Sequence, residues 1–214
     1  LAKTPAGQAV EPSALVCDDG SSVEPAGGSR ILEQERPVAP EGEALITHPH
    51  IRKVSLTGST EVGRRAMELA SRDFKRVSLE LGGKSPVVIG RSGDLALAAR
   101  RIAWGKTFNG GQVCLAPDHV LVPQHRRDAF VEAFKAEVTR MYPTMRDNPQ
   151  YTSIVNELQY RRVRSYLEDA RERGVSLVEI KPAQEDFGVQ AAHKIPVTLL
   201  LDPRKKAMFE QICA

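Results

Sequence analysis

Three short segments of this 214-residue chain hold residue types that can do covalent chemistry or bind anions. The first ends at a thiol, Phe108-Asn109-Gly110-Gly111-Gln112-Val113-Cys114. A cysteine just past a helix end, in a Gly-rich turn with backbone donors nearby, can ionise and act as a nucleophile. A lone cysteine is more often a small buried hydrophobe. The second is Glu80, at the end of an alternating run and ahead of Leu81-Gly82-Gly83-Lys84. A carboxylate at a strand end beside bare backbone can face a cleft and serve as a general base. A single Glu at a strand edge is, in most cases, simply solvated. The third is Leu56-Thr57-Gly58-Ser59-Thr60-Glu61-Val62-Gly63. Glycines 58 and 63 let backbone approach a ligand at a helix N-terminus, where free N–H groups and the helix dipole favour phosphate. The spacing is not the G-x-G-x-x-G dinucleotide fingerprint, and a Gly turn before a helix is usually only a turn.

The pattern of apolar residues predicts the elements that hold these segments. Residues 51–57 alternate and end in Gly58, which reads as a strand and a turn. Ser59 or Thr60 caps a helix from about Glu61 to Arg72, with Val62, Ala66, Leu69 and Ala70 on one face. Val77–Leu81 and Pro86–Ile89 read as strands, the latter a short apolar run of the buried type. Asp94 opens a helix to about Phe108, with Leu95, Ala98, Ala99, Ile102 and Ala103 inward and Trp104 in core or interface. Residues 119–123 form a strand and 126–140 a helix that turns Phe130, Phe134 and Val138 inward. Asn156 to Arg173 is a charged amphipathic helix closed by Gly174, and strands follow at 175–180 and 195–201. Strands alternating with helices predict an α/β fold with a parallel sheet. Residues 1–44, rich in Pro, Gly, Ser and Glu without a sustained period, are expected to be irregular or disordered.

Composition narrows the function classes. Thirty Lys and Arg against 27 Asp and Glu give a net charge of +3, too even to argue for nucleic acid or a membrane surface. The basic run Arg161-Arg162-Val163-Arg164 is interleaved downstream with Glu168, Asp169 and Glu172, as on a solvated helix face. No run approaches the ~18 consecutive apolar residues of a membrane span, and the first residues lack the basic start and apolar core of a secretory signal. Cys17, Cys114 and Cys213 are odd in number and far apart, which argues against a disulfide framework or a thiol zinc site. His48 and His50 lack a third ligand nearby in sequence, so no metal is expected. Free thiols and the absence of targeting signals point to the cytoplasm.

In this order, TGSTEVG, ELGGKSP and FNGGQVCLAPD resemble the NAD(P)-dependent aldehyde dehydrogenase superfamily. ELGGK and G-Q-x-C are its two signatures, and the spacing of 34 positions from Glu80 to Cys114 fits it. CLAPDHVLVP, YPT…NPQYTSIVNE and HKIPVTLLLD look most like its coniferyl aldehyde dehydrogenase branch, while IRKVSLTGSTEVGRRAM is also similar to succinate-semialdehyde-type members. The resemblance covers roughly residues 45–205. It implies a partial Rossmann-like cofactor-binding sheet followed by part of the α/β catalytic domain: 45–82 as the C-terminal half of the dinucleotide-binding domain, 83–214 as a partial thiol domain. It implies that the Cys114 thiolate attacks an aldehyde, that hydride passes to NAD or NADP, and that Glu80 activates the water that hydrolyses the thioester. The Cys114 N–H would stabilise the oxyanion. Gly58 and Ser59 would face the cofactor pyrophosphate, Gly63 would allow close helix–sheet packing, and Leu81 and Gly82 would lie near the nicotinamide.

The substrate implied is a small aldehyde, aromatic or of medium chain length, and the family forms homodimers or homotetramers. A family member also carries a P-W-N segment, a ribose-binding Lys-Pro segment and an E-E-I-F-G-P segment. None is found here, so the chain is expected to be a fragment. Two other readings stand beside oxidation: an inactive remnant, and a Cys/Glu esterase without hydride transfer.

Overall fold

The computed structural model describes residues 14–17, 40–188 and 190–202. These form two compact units, 40–83 in one and 14–17 with 84–202 in the other. The first strand, β1 (Ala14–Cys17), belongs to the second unit.

The first unit runs α1 (Pro40–Thr47), β2 (Lys53–Thr57), α2 (Thr60–Ser71), β3 (Arg76–Glu80). Its core joins Ile46 of α1, Val54 of β2 and Ala66, Leu69 and Ala70 of α2. α1 ends in carbonyls that need donors. Lys75, whose side chain is only 4% exposed, supplies them through Nζ, to Ile46 O at 2.6 Å and His48 O at 2.8 Å. A cation there also complements the helix dipole. β2 and β3 pair in parallel, Lys53 opposite Arg76 through Thr57 opposite Glu80. Both strands therefore end at the same edge.

The second unit holds a five-stranded sheet ordered β4-β5-β1-β7-β6, with β4 (Val87–Val88), β5 (His119–Val122), β6 (Ser176–Glu179) and β7 (Thr198–Leu201). Its helices are α3 (Leu95–Thr107), α4 (Arg127–Met141) and α5 (Glu157–Glu172). The sheet is a middle layer. Leu199 and Leu201 meet the cluster of Ala99, Ile102, Phe130, Phe134 and Val138 from α3 and α4, whereas Leu200 meets Leu167 and Ala170 of α5. This is the period-2 alternation of a strand buried on both faces. Asp94 caps α3 by accepting from Ala96 and Leu97 N–H at 2.9 and 3.1 Å. Asn156 caps α5 by accepting from Gln159 N–H at 3.0 Å. Gly174, at φ +66°, closes α5.

Three expectations are corrected. The sheet is not wholly parallel: β6 pairs antiparallel with β7. No helix lies between them among the described residues, and a parallel return would need such a crossover. Of the two places expected for Trp104, core or interface, only the core is excluded: the side chain is 62% exposed and stacks on Phe108 with centroids 5.5 Å apart. The α3 face that packs on α4 is filled by Ala99, Ile102 and Ala103 instead. The stretch 1–44 is not irregular throughout, since it contains β1 and the start of α1. Ala14-Leu15-Val16-Cys17 is a short apolar run that pairs in parallel with β5 and β7. Pro40 fits the first helical position, and Glu41 and Glu43 suit the positive helix end. The rest of that stretch and Cys213 lie outside the described residues. No helix among the described residues is long and apolar enough to cross a membrane.

Candidate active site

In the first unit the structure brings Gly58, Ser59, Gly63, Glu80 and Leu81 together at the carboxyl edge of the parallel pair. Gly58 N–H donates to Glu80 O at 3.1 Å, extending the β2–β3 ladder by one bond. That N–H is thereby occupied. Ser59 is the N-cap of α2, with Oγ accepting from Val62 N–H at 3.2 Å. Its hydroxyl serves the helix, and the remaining first-turn N–H groups of α2 have no partner in the helix itself. Gly63 is buried, and a Cβ on it would lie 2.8 Å from Leu81 Cδ2 and 3.5 Å from Leu79 Cδ1. α2 thus lies close over the end of β3. The Glu80 carboxylate is exposed, and Leu81-Gly82-Gly83 leaves the strand without regular structure. Ligands of open parallel sheets bind at this carboxyl edge.

Cys114 belongs to the second unit. It is a free, exposed thiol, so the reading as a buried hydrophobe is set aside. The chain reaches it through three successive left-handed residues, Asn109 (φ +51°), Gly110 (φ +64°) and Gly111 (φ +78°). Only Gly, and less easily Asn, visits this region at low cost. A Cβ on Gly110 would sit 3.1 Å from Thr152 O, and one on Gly111 3.0 Å from Lys106 O. The glycines therefore supply both a dihedral and a close approach.

The loop is pinned on either side of the thiol. Ser85 Oγ donates to Cys114 O at 3.3 Å, and Asp118 N–H donates to Ser85 O at 3.3 Å. Gln112, two residues before the thiol, has both amide donors and its amide oxygen engaged. Nε2 donates to Asn109 O and to Ser153 O, each at 3.0 Å, and Oε1 accepts from Val155 N–H at 2.9 Å. Ser85 and the Gln112 side chain had not been singled out from sequence. Gln112 stands inside the G-Q-x-C motif, which was its only signal; its partners Ser153 and Val155 lie 41 and 43 residues downstream.

Among the described residues no group of three or more His, Cys, Asp or Glu is arranged to hold a metal. His48 and His50 instead meet ring edge to ring, with centroids 5.2 Å apart.

The chain is similar in sequence and fold to known proteins. Residues 33–210 match the sequence model of the aldehyde dehydrogenase family. The chain is 49% identical over 158 residues to a protein named probable coniferyl aldehyde dehydrogenase from Caulobacter vibrioides, covering 73% of this chain and 33% of that protein. It is 46% identical over 159 residues to the coniferyl aldehyde dehydrogenase of a Pseudomonas species, covering 74% and 33%. Among solved structures, Staphylococcus aureus AldH in a substrate-bound state superposes with a TM-score of 0.69 at 31% identity, covering 81% of this chain and 37% of that one. The chain spans about a third of the length of the curated relatives it matches.

Proposed function

The chain belongs to the aldehyde dehydrogenase family, and from that premise we propose that it carries the thiol and the carboxylate that oxidise an aldehyde to a carboxylate with NAD or NADP. The single observation that supports this best is the free, exposed Cys114 at the end of a loop held by Gln112 and Ser85. A nucleophile must be accessible and oriented at once.

The cofactor reading rests on the first unit. Gly58 and Ser59 lie at the N-terminus of the twelve-residue α2, and Leu81 and Gly82 leave β3 at the same edge. The N–H groups of Thr60 and Glu61 suit an anionic pyrophosphate, with the Ser59 hydroxyl retained as helix cap. Leu81 and Gly82 offer an apolar side chain and bare backbone to the nicotinamide end. A nicotinamide cofactor supplies the hydride acceptor when bound.

The chain's own residues do the remaining work. The Cys114 thiolate adds to the aldehyde carbon to form a thiohemiacetal, and the Cys114 N–H stabilises the oxyanion. Loss of hydride from that carbon leaves a thioester on Cys114. Glu80 takes a proton from a water, which attacks the thioester and releases the carboxylate and the thiolate. The relatives named above make coniferyl aldehyde, or another aromatic or medium-chain aldehyde, the proposed substrate. A reducing cytoplasmic setting keeps the thiol free.

The test is reduced-nicotinamide formation by the purified chain with coniferaldehyde and with hexanal, under NAD and then NADP, beside Cys114→Ala and Glu80→Gln. Turnover abolished by the first substitution, and stalled at an acylated Cys114 in the second, is the expected result. Turnover that survives in Cys114→Ala refutes the thiol role. Its absence from the folded wild-type chain refutes the reading for this chain.

A further inference from the structure

The Gln of the G-Q-x-C segment has no part in the chemistry above, yet its side chain is the most fully engaged group on the thiol loop. A primary amide has two donors and one acceptor group at one end of a flexible stem. Here both donor bonds come from Nε2, one inward to Asn109 O within the left-handed turn and one outward to Ser153 O. The acceptor takes Val155 N–H. Ser153 O and Val155 N–H are two residues apart in a segment without regular structure, the spacing of the pair that one residue of a neighbouring parallel strand engages in a ladder. The carboxamide supplies the N–H and C=O that one residue of a neighbouring strand would supply.

The segment it grips is itself anchored from the far side. Tyr151 Oη donates to Ile195 O at 2.7 Å, and Ile154 N–H donates to His193 O at 3.0 Å. Residues 151–155 are thus a strap tied to the approach to β7, and Gln112 ties the thiol loop to that strap. Within the loop, Asn109 Nδ2 returns a bond to Gln112 O at 3.3 Å, and Gln112 N–H donates to Asn109 O at 3.2 Å. A run of left-handed residues persists only where its surroundings over-determine it, and these bonds do so.

We propose that Gln112 is the positioning residue of Cys114: its amide substitutes for a strand neighbour on the 151–155 strap and so fixes the loop that presents the thiol. The inference rests on the reading of Cys114 as the nucleophile, but the fixing of the loop is measurable without it. Glutamate cannot replace Gln112 when ionised, because both its oxygens are acceptors and one would face Ser153 O and Asn109 O. A protonated carboxyl regains one donor beside its acceptor.

The experiment uses the full chain with Cys17→Ser and Cys213→Ser, carrying Gln112, Gln112→Ala or Gln112→Glu. Amide exchange is read residue by residue by NMR, and Cys114 alkylation by iodoacetamide is timed in the same samples. Val155 is 67% exposed and its N–H donates to Gln112 Oε1, so on this proposal that bond slows exchange of the Val155 amide. In Gln112→Ala the Val155 protection factor falls at least tenfold while amides of β5 keep theirs. The Cys114 alkylation rate moves to that of the urea-unfolded chain. In Gln112→Glu the Val155 protection lost at neutral pH returns as pH falls through the carboxyl range near ~4.3, which a packing role alone would not produce.

Unchanged Val155 protection in Gln112→Ala overturns the clamp. Lost Val155 protection with an unchanged Cys114 rate, in a chain whose wild-type rate differs from the unfolded one, overturns the positioning of the thiol. A wild-type rate equal to the unfolded one overturns the reading of Cys114 as an activated nucleophile and the thiol-presenting half of this proposal with it, and the exchange data then decide the clamp alone.

Discussion

Gly111→Ala tests whether the thiol loop needs glycine for its dihedral or merely tolerates it. At φ +78° an L-residue costs roughly 1–2 kcal/mol, and the new Cβ would stand 3.0 Å from the Lys106 carbonyl oxygen. That oxygen belongs to the last turn of α3 and cannot swing aside as a side-chain end can. Strain at a sparsely populated backbone position adds to the cost, so the expected destabilisation is about 2–3 kcal/mol. Gly90→Ala is the matched control. Its φ is not in the left-handed region and nothing lies within 4 Å of its added Cβ. There the loss of unfolded-state entropy is expected to stabilise by about 0.4–1 kcal/mol. Urea unfolding followed by far-UV circular dichroism measures both. The two variants should differ by about 3 kcal/mol, more than a hundredfold in the folding equilibrium. Gly111→Ala within about 0.5 kcal/mol of wild type, with Gly90→Ala behaving as stated, refutes the argument that the left-handed turn is glycine-dependent.

Three further perturbations follow from the same structure. Burial, with a smaller contribution from Tyr142, pushes the Tyr151 phenol above its usual range. Its contribution to stability is therefore intact below the unfolded-state value near ~10 and lost as pH rises beyond it; Tyr151→Phe should lose about 1–3 kcal/mol at neutral pH by orphaning Ile195 O, yet show a shallower alkaline decline than wild type in urea titrations from pH ~9 upward. Lys75→Met removes both donors to the end of α1 and should cost about 1–3 kcal/mol, with faster exchange of the α1 amides as the local signature; an unchanged α1 would show that the Lys75 bonds are dispensable. Phe134→Ala, at a side chain 1% exposed in the α3–α4 core, should cost about 3–5 kcal/mol in the same titration, and a loss below 1 kcal/mol would contradict the packing described.

Much of the fold was readable from local pattern. The capping residues Ser59, Asp94 and Asn156 and the stop at Gly174 mark helix ends in the chain itself, because a cap is a bond between near neighbours. The antiparallel β6 was missed, because strand alternation elsewhere suggested a uniform parallel sheet. β1 was lost because a four-residue apolar run lies inside Pro- and Gly-rich sequence, and its partners are remote strands. For Trp104 the sequence offered core or interface without deciding between them. Size predicts burial on average, yet the inward face of α3 needs small residues where α4 approaches it, and Trp104 falls on the other side.

For the site, the residue types carried the chemistry and the order of three motifs carried the family. Cys114, Glu80 and the Gly58–Gly63 turn could be proposed for these roles without coordinates because reactivity is a property of side chains and turn chemistry is a property of a few consecutive residues. What holds the thiol loop could not be named. Gln112 reaches Ser153 and Val155, Gly110 rests against Thr152, and Ser85 reaches back to Cys114. These are contacts between segments 29 to 43 residues apart. No periodicity encodes them, because side-chain hydrogen bonds to distant backbone depend on how the strands and helices pack, and only the tertiary structure fixes that.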